Sequence, residues 1–338
     1  MQKKIHMYYN KIIKKKQRIR AYLKYACEES DMKENKFPGG VWPVMIVPFQ
    51  ENGAVDYEKL PALTEWYIEN GAKGLFAVCQ SGEMYQLTLE ERAKISECVV
   101  KAAAGRVPVI ATGNICENPE DRAAEVQKIA DTGVDAVILI TNQFAEESES
   151  DEVWMKNCSR FLAQIPEEIP LGFYECPYPY KRLIATENLK RCAETGRFYF
   201  LKDTCCDLAL ICERIQAIEG TKLKLYNANT TTLLDSLQKG AYGFSGVMAN
   251  FHPEFYTALC EHYEEKKMED LQAFLAIASL IERQYYPVNA KYHMQKYSNL
   301  PITTFSRRQD EKGLTETFKK EVEMLHTLEV KVKEAFGM

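Results

Sequence analysis

The sequence predicts an α/β protein built as a closed (β/α)8 TIM barrel with extra C-terminal helices. Three observations carry this. Short apolar runs alternate with amphipathic stretches eight times between Val41 and about Lys239–Val247. Helix start and stop signals fall between the runs. The repeated unit is too regular for an open sheet and spans about 220 residues, within the usual range of such a barrel.

The elements follow in order. Val41–Phe49 reads as the first strand, with Asp56 capping a helix that Gly71 stops. Gly74–Cys79 is the second strand. Thr88-Leu89-Glu90-Glu91 then opens a helix with a capping box, in which the threonine and the glutamate satisfy each other's backbone amides. Val107–Gly113, Asp135–Thr141 and Pro170–Cys176 are the third, fourth and fifth strands, with helices opening at Asn118-Pro119, Ser150 and Thr186. Phe198–Asp203, Thr221–Asn227 and Gly243–Val247 are the sixth to eighth, with helices opening at Asp207 and Thr230. Helices fill most of the remainder, among them Asp270–Gln284 and Asp310–Ala335, and are expected outside the barrel or against another subunit. The chain thus divides into a basic N-terminal extension (1–36), the barrel (37–265) and a C-terminal helical extension (266–338).

The chemistry of such a barrel lies at the C-terminal ends of its strands. Phe198-Tyr199-Phe200-Leu201-Lys202-Asp203 ends in a lysine, where lost hydration disfavours the ammonium and favours a nucleophilic amine. Tyr174 ends the neighbouring fifth strand. By period-2 alternation Gly172, Tyr174 and Cys176 share one face, and Phe198, Phe200 and Lys202 share one face of the next strand. Gln80, Ser81 and Gly82 follow the second strand, where a hydroxyl and backbone amides suit a carboxylate. Asn227, Asn229, Thr230, Ser245 and Asn250 are candidates for binding substrate hydroxyls, Ser245 foremost, although Asn and Thr also serve as turn and cap residues.

These motifs resemble the dihydrodipicolinate synthase/N-acetylneuraminate lyase family of pyruvate-type class I aldolases. Cys79-Gln80-Ser81-Gly82-Glu83 resembles the family's GTTGE segment, and Tyr174-Glu175-Cys176-Pro177 its Tyr-Asn-x-Pro segment, with Glu175 in place of asparagine. Leu201-Lys202-Asp203-Thr204 matches the lysine motif, and Gly246-Val247-Met248-Ala249-Asn250 resembles the strand-eight segment. The resemblance implies a Schiff-base lyase or aldolase: Lys202 attacks a 2-oxo acid, Tyr174 shuttles the proton, and Ser81 with its neighbours holds the carboxylate. It implies no cofactor, a small-molecule 2-oxo acid as partner, and a homodimer or homotetramer. Neither nucleic acid nor membrane is expected as a partner.

Three departures bear on the substrate. Gln80 replaces a threonine. Gln143-Phe144-Ala145 stands where the synthases carry Tyr-Tyr-Asn, so Phe144 has no proton to relay, and Pro179 stands where they carry an arginine. These favour cleavage of a 2-oxo-3-deoxy sugar acid or related acid over condensation of pyruvate with aspartate semialdehyde, the 4-hydroxy-tetrahydrodipicolinate synthase reaction. A catalytically degenerate 2-oxo acid sensor is the third reading, against which Lys202 and Tyr174 stand together.

Composition excludes other classes. No apolar run approaches the ~20 residues of a membrane span. The eleven cysteines form no CxxC pair and read as reduced thiols of a cytoplasmic protein, while the five histidines form no local metal motif. Residues 1–31 hold nine Lys/Arg with Ile5, Ile12 and Ile19 at heptad spacing, a basic amphipathic helix in outline. Such a helix suits anionic lipid or nucleic acid. The expectation is instead an added leader, since Met32 can begin a complete protein.

Overall fold

The computed structural model describes residues 37–338, and the expectations for the N-terminal extension lie outside them. Residues 39–338 form one compact unit. Eight parallel strands alternate with helices: β1 (Gly40–Val41), α1 (Leu60–Glu69), β2 (Leu75–Val78), α2 (Leu89–Ala103), β3 (Val109–Thr112), α3 (Arg122–Ala130), β4 (Ala136–Ile140), α4 (Asp151–Leu162), β5 (Leu171–Tyr174), α5 (Thr186–Glu194), β6 (Phe198–Asp203), α6 (Leu208–Ala217), β7 (Lys224–Asn227), α7 (Leu233–Gln238) and β8 (Gly243–Phe244). Then come α8 (Pro253–His262), α9 (Met268–Ala278), α10 (Val288–Tyr297) and α11 (Glu316–Phe336). Every strand pairs with its sequence neighbour, β1 pairs with β8, and a bridge from Val44 to Phe76 joins the β1 segment to β2. The barrel is therefore closed.

Capping chemistry accounts for several helix starts. Thr88 accepts from the Glu91 amide and Glu91 accepts from the Thr88 amide, which is the predicted capping box. Ser150, Asp207 and Thr315 also cap with their side chains. The first strand is shorter than Val41–Phe49. Pro43 and Pro48 lack an N–H for the ladder, so regular pairing stops at Val41 and resumes only at the Val44 bridge.

The barrel interior is aromatic. The Phe200 ring stacks on Tyr226 at 4.3 Å and meets Trp42 at 5.0 Å and Phe76 at 6.3 Å. Gly172 makes room for it, since a Cβ there would sit 2.7 Å from the Phe200 carbonyl oxygen and 2.5 Å from Ile138 Cδ1. The expectation that Phe198 shares the face of Phe200 does not hold. The register shifts between Leu171 and Gly172, and Phe198 stacks at 4.3 Å on Phe173, which packs on Trp154 of α4. A bulge turns Phe198 toward the helices and leaves Phe200 and Lys202 facing inward.

The C-terminal segment differs from its expected place. Helix α9 packs on α7 and α8, but the turn Ser279–Arg283 and the segment ending at Arg308 reach the mouth of the barrel. Glu83, which has φ 61°, ties them down. Its carboxylate accepts from Lys291 Nζ at 3.0 Å, Ser306 Oγ at 2.9 Å and the Arg308 amide at 2.9 Å. Glu83 and Lys291 are both buried, so the contact is an ion pair sealed from water.

Candidate active site

Tyr174 and Lys202 are direct neighbours in the β5–β6 ladder, and both point into the barrel mouth. The Lys202 amine lies 4.2 Å from the centre of the Tyr174 ring. Burial pushes the Lys202 titration below the ordinary lysine range, against the opposing influence of Cys79, Cys176 and Glu282. Burial also pushes the Tyr174 phenol well up, with Cys176 and Cys79 adding to it, so the phenol is protonated at neutral pH. Its hydroxyl donates to Gln80 Oε1 at 3.2 Å.

The residues that follow this pair face the other way and are clamped together. Glu175 and Asp203 both bond Arg214 of α6, and all three side chains are excluded from solvent. Arg214 Nη2 is 2.7 Å from Glu175 Oε1, and Arg214 Nη1 also reaches Asp203 Oδ2. Glu175 further accepts from the amides of Ile184 (2.9 Å) and Thr204 (3.2 Å). One guanidinium therefore holds the ends of β5 and β6 in register behind the lysine and the tyrosine. Glu175 in place of asparagine has its physical reason here.

A cavity of about 260 Å³ opens over the Lys202 amine. Gln80, Ser81, Tyr174, Lys181, Thr204 and Asn229 line it from the barrel, and Glu282, Tyr286 and Arg308 from the C-terminal segment. Ser81 sits beside the Tyr286 phenol, which accepts from Asn250 Nδ2 at 2.8 Å. Gly82 does not line the cavity. Its amide bonds the Cys79 carbonyl at 3.1 Å, because the chain after β2 winds into a tight turn over Gln80–Gly82.

Ser245 is not brought to the cavity either. Fully buried, it donates to the Trp42 carbonyl at 3.0 Å and ties β8 to the β1 segment. Asn227, Thr230 and Asn250 are equally internal. Asn227 bonds Thr232 and Ser236, Thr230 bonds Tyr256, and Asn250 bonds the Val44 carbonyl. Of the polar set only Asn229 reaches the cavity. Phe144 packs between Trp154 and Phe161 in the helix layer, where it lines a separate cleft with Gln143 and Arg122. Glu282, Tyr286 and Arg308 were invisible to strand-end reasoning because they come from beyond the barrel. Tyr285-Tyr286-Pro287, an aromatic pair before proline in a helical region, was the one local signal of an irregular segment there.

A closed parallel barrel with a buried lysine and phenol side by side at its mouth defines a lyase of the class I aldolase type. The chain belongs to the dihydrodipicolinate synthetase family, whose profile matches residues 37–310. It is 30% identical to a 4-hydroxy-tetrahydrodipicolinate synthase of Jannaschia sp. (strain CCS1), over 67% of this chain and 73% of that protein. A synthase of the same name from Coxiella burnetii is 26% identical over 78% of this chain and 92% of its own length. A crystal structure of a dihydrodipicolinate synthase superposes with a TM-score of 0.73 at 26% identity, covering 85% of this chain and 97% of that one. No helix among the described residues is long and apolar enough to cross a membrane.

Proposed function

We propose that the chain forms a Schiff base between Lys202 and a 2-oxo acid and breaks the carbon–carbon bond next to the pyruvate unit of a hydroxylated acid. The observation that carries this is the buried Lys202 amine 4.2 Å over the Tyr174 ring, at the floor of a cavity of substrate size. The Lys202 lone pair attacks C2, and the Tyr174 proton leaves with the carbinolamine hydroxyl as water, which gives an iminium beside a phenolate. The phenolate then takes the proton of the C4 hydroxyl. The C3–C4 bond breaks, its electron pair moving to the iminium to form an enamine as C4 becomes a carbonyl. Protonation at C3 and hydrolysis return pyruvate and free Lys202. Ser81 and Gln80 fit the C1 carboxylate and the reacting oxygen, while Gly82 and Ser245 act only through the backbone and the barrel seam.

The remaining walls speak to the rest of the substrate. Asn229 and Glu282 suit hydroxyls, and Arg308 suits a second anionic group. Arg308 thereby supplies from the C-terminal segment a cation of the kind that Pro179 omits after β5. Release of pyruvate from a panel of 2-oxo-3-deoxy sugar acids and related 4-hydroxy-2-oxo acids tests the reading. Arg308→Ala is expected to raise KM about tenfold for acids with a second anion, with kcat little changed, as for loss of one charge-assisted contact. An unchanged KM across the panel removes Arg308 from the substrate site.

The names of the relatives favour a second reading, condensation of pyruvate with aspartate semialdehyde. Turnover with that pair above turnover with every sugar acid would replace cleavage by synthesis. Under either reading Tyr174→Phe is expected to lower kcat roughly 10²- to 10⁴-fold, the span of positioned acid–base groups, while the imine still forms. Steady-state kinetics beside borohydride trapping checks this, and a wild-type kcat would assign the proton shuttle elsewhere. We assign the protein to the cytoplasm, as a homodimer or homotetramer, from its reduced-thiol composition and its family.

A further inference from the structure

Away from the cavity, three histidines from three helical segments converge on one carboxylate. His252 immediately precedes α8, His293 lies on α10, and His326 and Glu329 stand one turn apart on α11. Glu329 Oε1 is 2.6 Å from His252 Nδ1, and Glu329 Oε2 is 3.0 Å from His293 Nε2 and 3.2 Å from His326 Nδ1. Glu329, His252 and His293 are buried, whereas the His326 ring is one-third exposed and stacks on Tyr297. The cluster therefore has one open side.

A carboxylate at that depth requires a cation. Among the described residues, the side chains that meet the Glu329 carboxylate are these three histidines. The donor atoms of His293, His326 and Glu329 all lie within 4.8 Å of one another. Ligands about 2.1 Å from a tetrahedral ion stand roughly 3.4 Å apart. The separations of 3.0 and 3.2 Å are close to that spacing.

We propose that His293, His326 and Glu329 form a binding site for a zinc-class divalent cation. Two imidazoles and one carboxylate suit zinc and its neighbours rather than magnesium or calcium, which take oxygen donors. Water completes the shell through the open side at His326. His252 does not ligate; its Nδ1 holds Oε1 and so orients the carboxylate, as outer partners of metal ligands do. The site is structural and clips α10 to α11. Helix α10 also carries Lys291, whose pairing with Glu83 braces the loop beside the cavity. The histidines are 41 and 33 residues apart in sequence, so only the His326–Glu329 spacing leaves a local trace.

The test uses the full chain, stripped with a chelator and titrated with zinc chloride or cobalt(II) chloride. The expected result is one ion per chain, a rise in melting temperature, and a tetrahedral cobalt spectrum without a thiolate charge-transfer band. His326→Ala is expected to weaken binding about 100-fold or more. His252→Asn should weaken it roughly 10- to 100-fold, the range for partners that orient a ligand. His262→Ala, an exposed histidine that bonds Glu265, should leave binding unchanged. The cobalt spectrum of the unaltered chain reads the site even where a variant fails to fold. Three results would overturn the proposal: a thiolate band, binding that survives His326→Ala, or a melting temperature indifferent to zinc.

Discussion

Lys202→Met removes turnover, by an expected factor of about 10⁴ or more, while the protein melts at or above the wild-type temperature. The two halves of this prediction share one cause. The amine sits at the barrel mouth with 4% exposure, and burial works against its charged form. That environment costs stability and yields a neutral nucleophile. Methionine keeps the volume without the desolvated amine, so the fold loses nothing. Chemistry loses the covalent route, whose positioned nucleophile is worth effective molarities on the order of 10⁵–10⁸ M. The depressed titration also sets the pH dependence. The rate of imine formation should rise with pH along a limb centred below the ordinary lysine value of about 10.4 and then level. Stopped-flow measurement of imine formation from pH 6 to 10 checks the limb, and activity above about one-hundredth of wild type in Lys202→Met would sink the covalent role.

Arg214→Met carries the largest expected loss of stability, about 3–5 kcal/mol, the usual cost of stripping the partner from buried charges. The change leaves Glu175 and Asp203, both excluded from solvent, without the guanidinium that pairs them. Burial already raises the Glu175 titration in the wild type, and Arg214 is the chief group opposing it. Without Arg214 the folded-state value climbs further above the unfolded one. A carboxyl raised on folding contributes stability that is present at low pH and lost as pH rises, because the folded state then binds more protons. The deficit of Arg214→Met should therefore be larger at pH 8 than at pH 5, as urea unfolding at both values would reveal. A deficit below about 1 kcal/mol at pH 8 would mean that the two carboxylates are not clamped as described. The same variant loosens the ends of β5 and β6, so its residual folded fraction should turn over slowly.

What the sequence made legible, and what it hid, divides along the range of the interactions. Strand β6 was read as Phe198–Asp203 and is observed with those bounds, because a continuous apolar run ending in charge is a local signal. The Thr88–Glu91 capping box was equally local and is present. The pairing of Tyr174 with Lys202 followed from alternation at the strand ends, where the rule holds. Alternation failed at Phe198, because a bulge is a property of two strands and not of one. The β1 segment was overextended because its apolar pattern spoke louder than Pro43 and Pro48. The polar set around the cavity was mostly misplaced for a different reason. Asn227, Ser245 and Asn250 have the chemistry of a binding site, but each satisfies buried backbone or hydroxyl groups of its own fold, a demand that outranks ligand binding. Glu282, Tyr286 and Arg308 enter the cavity only through tertiary folding of the C-terminal segment, anchored by Glu83 more than 200 residues earlier in sequence. The Glu175–Asp203–Arg214 clamp was hidden likewise. Its two acids read as strand-end charges until α6 brings the arginine against them.

The central claim is that Lys202 is the covalent nucleophile, and one measurement meets it directly. The full chain is incubated with pyruvate, reduced with borohydride, digested and analysed by mass. The account predicts a single 1-carboxyethyl adduct on the amine of the peptide bearing Lys202, present in Tyr174→Phe and absent in Lys202→Met. No adduct with pyruvate or with any of several 2-oxo acids, or an adduct confined to another lysine such as Lys181 or Lys291, would contradict it.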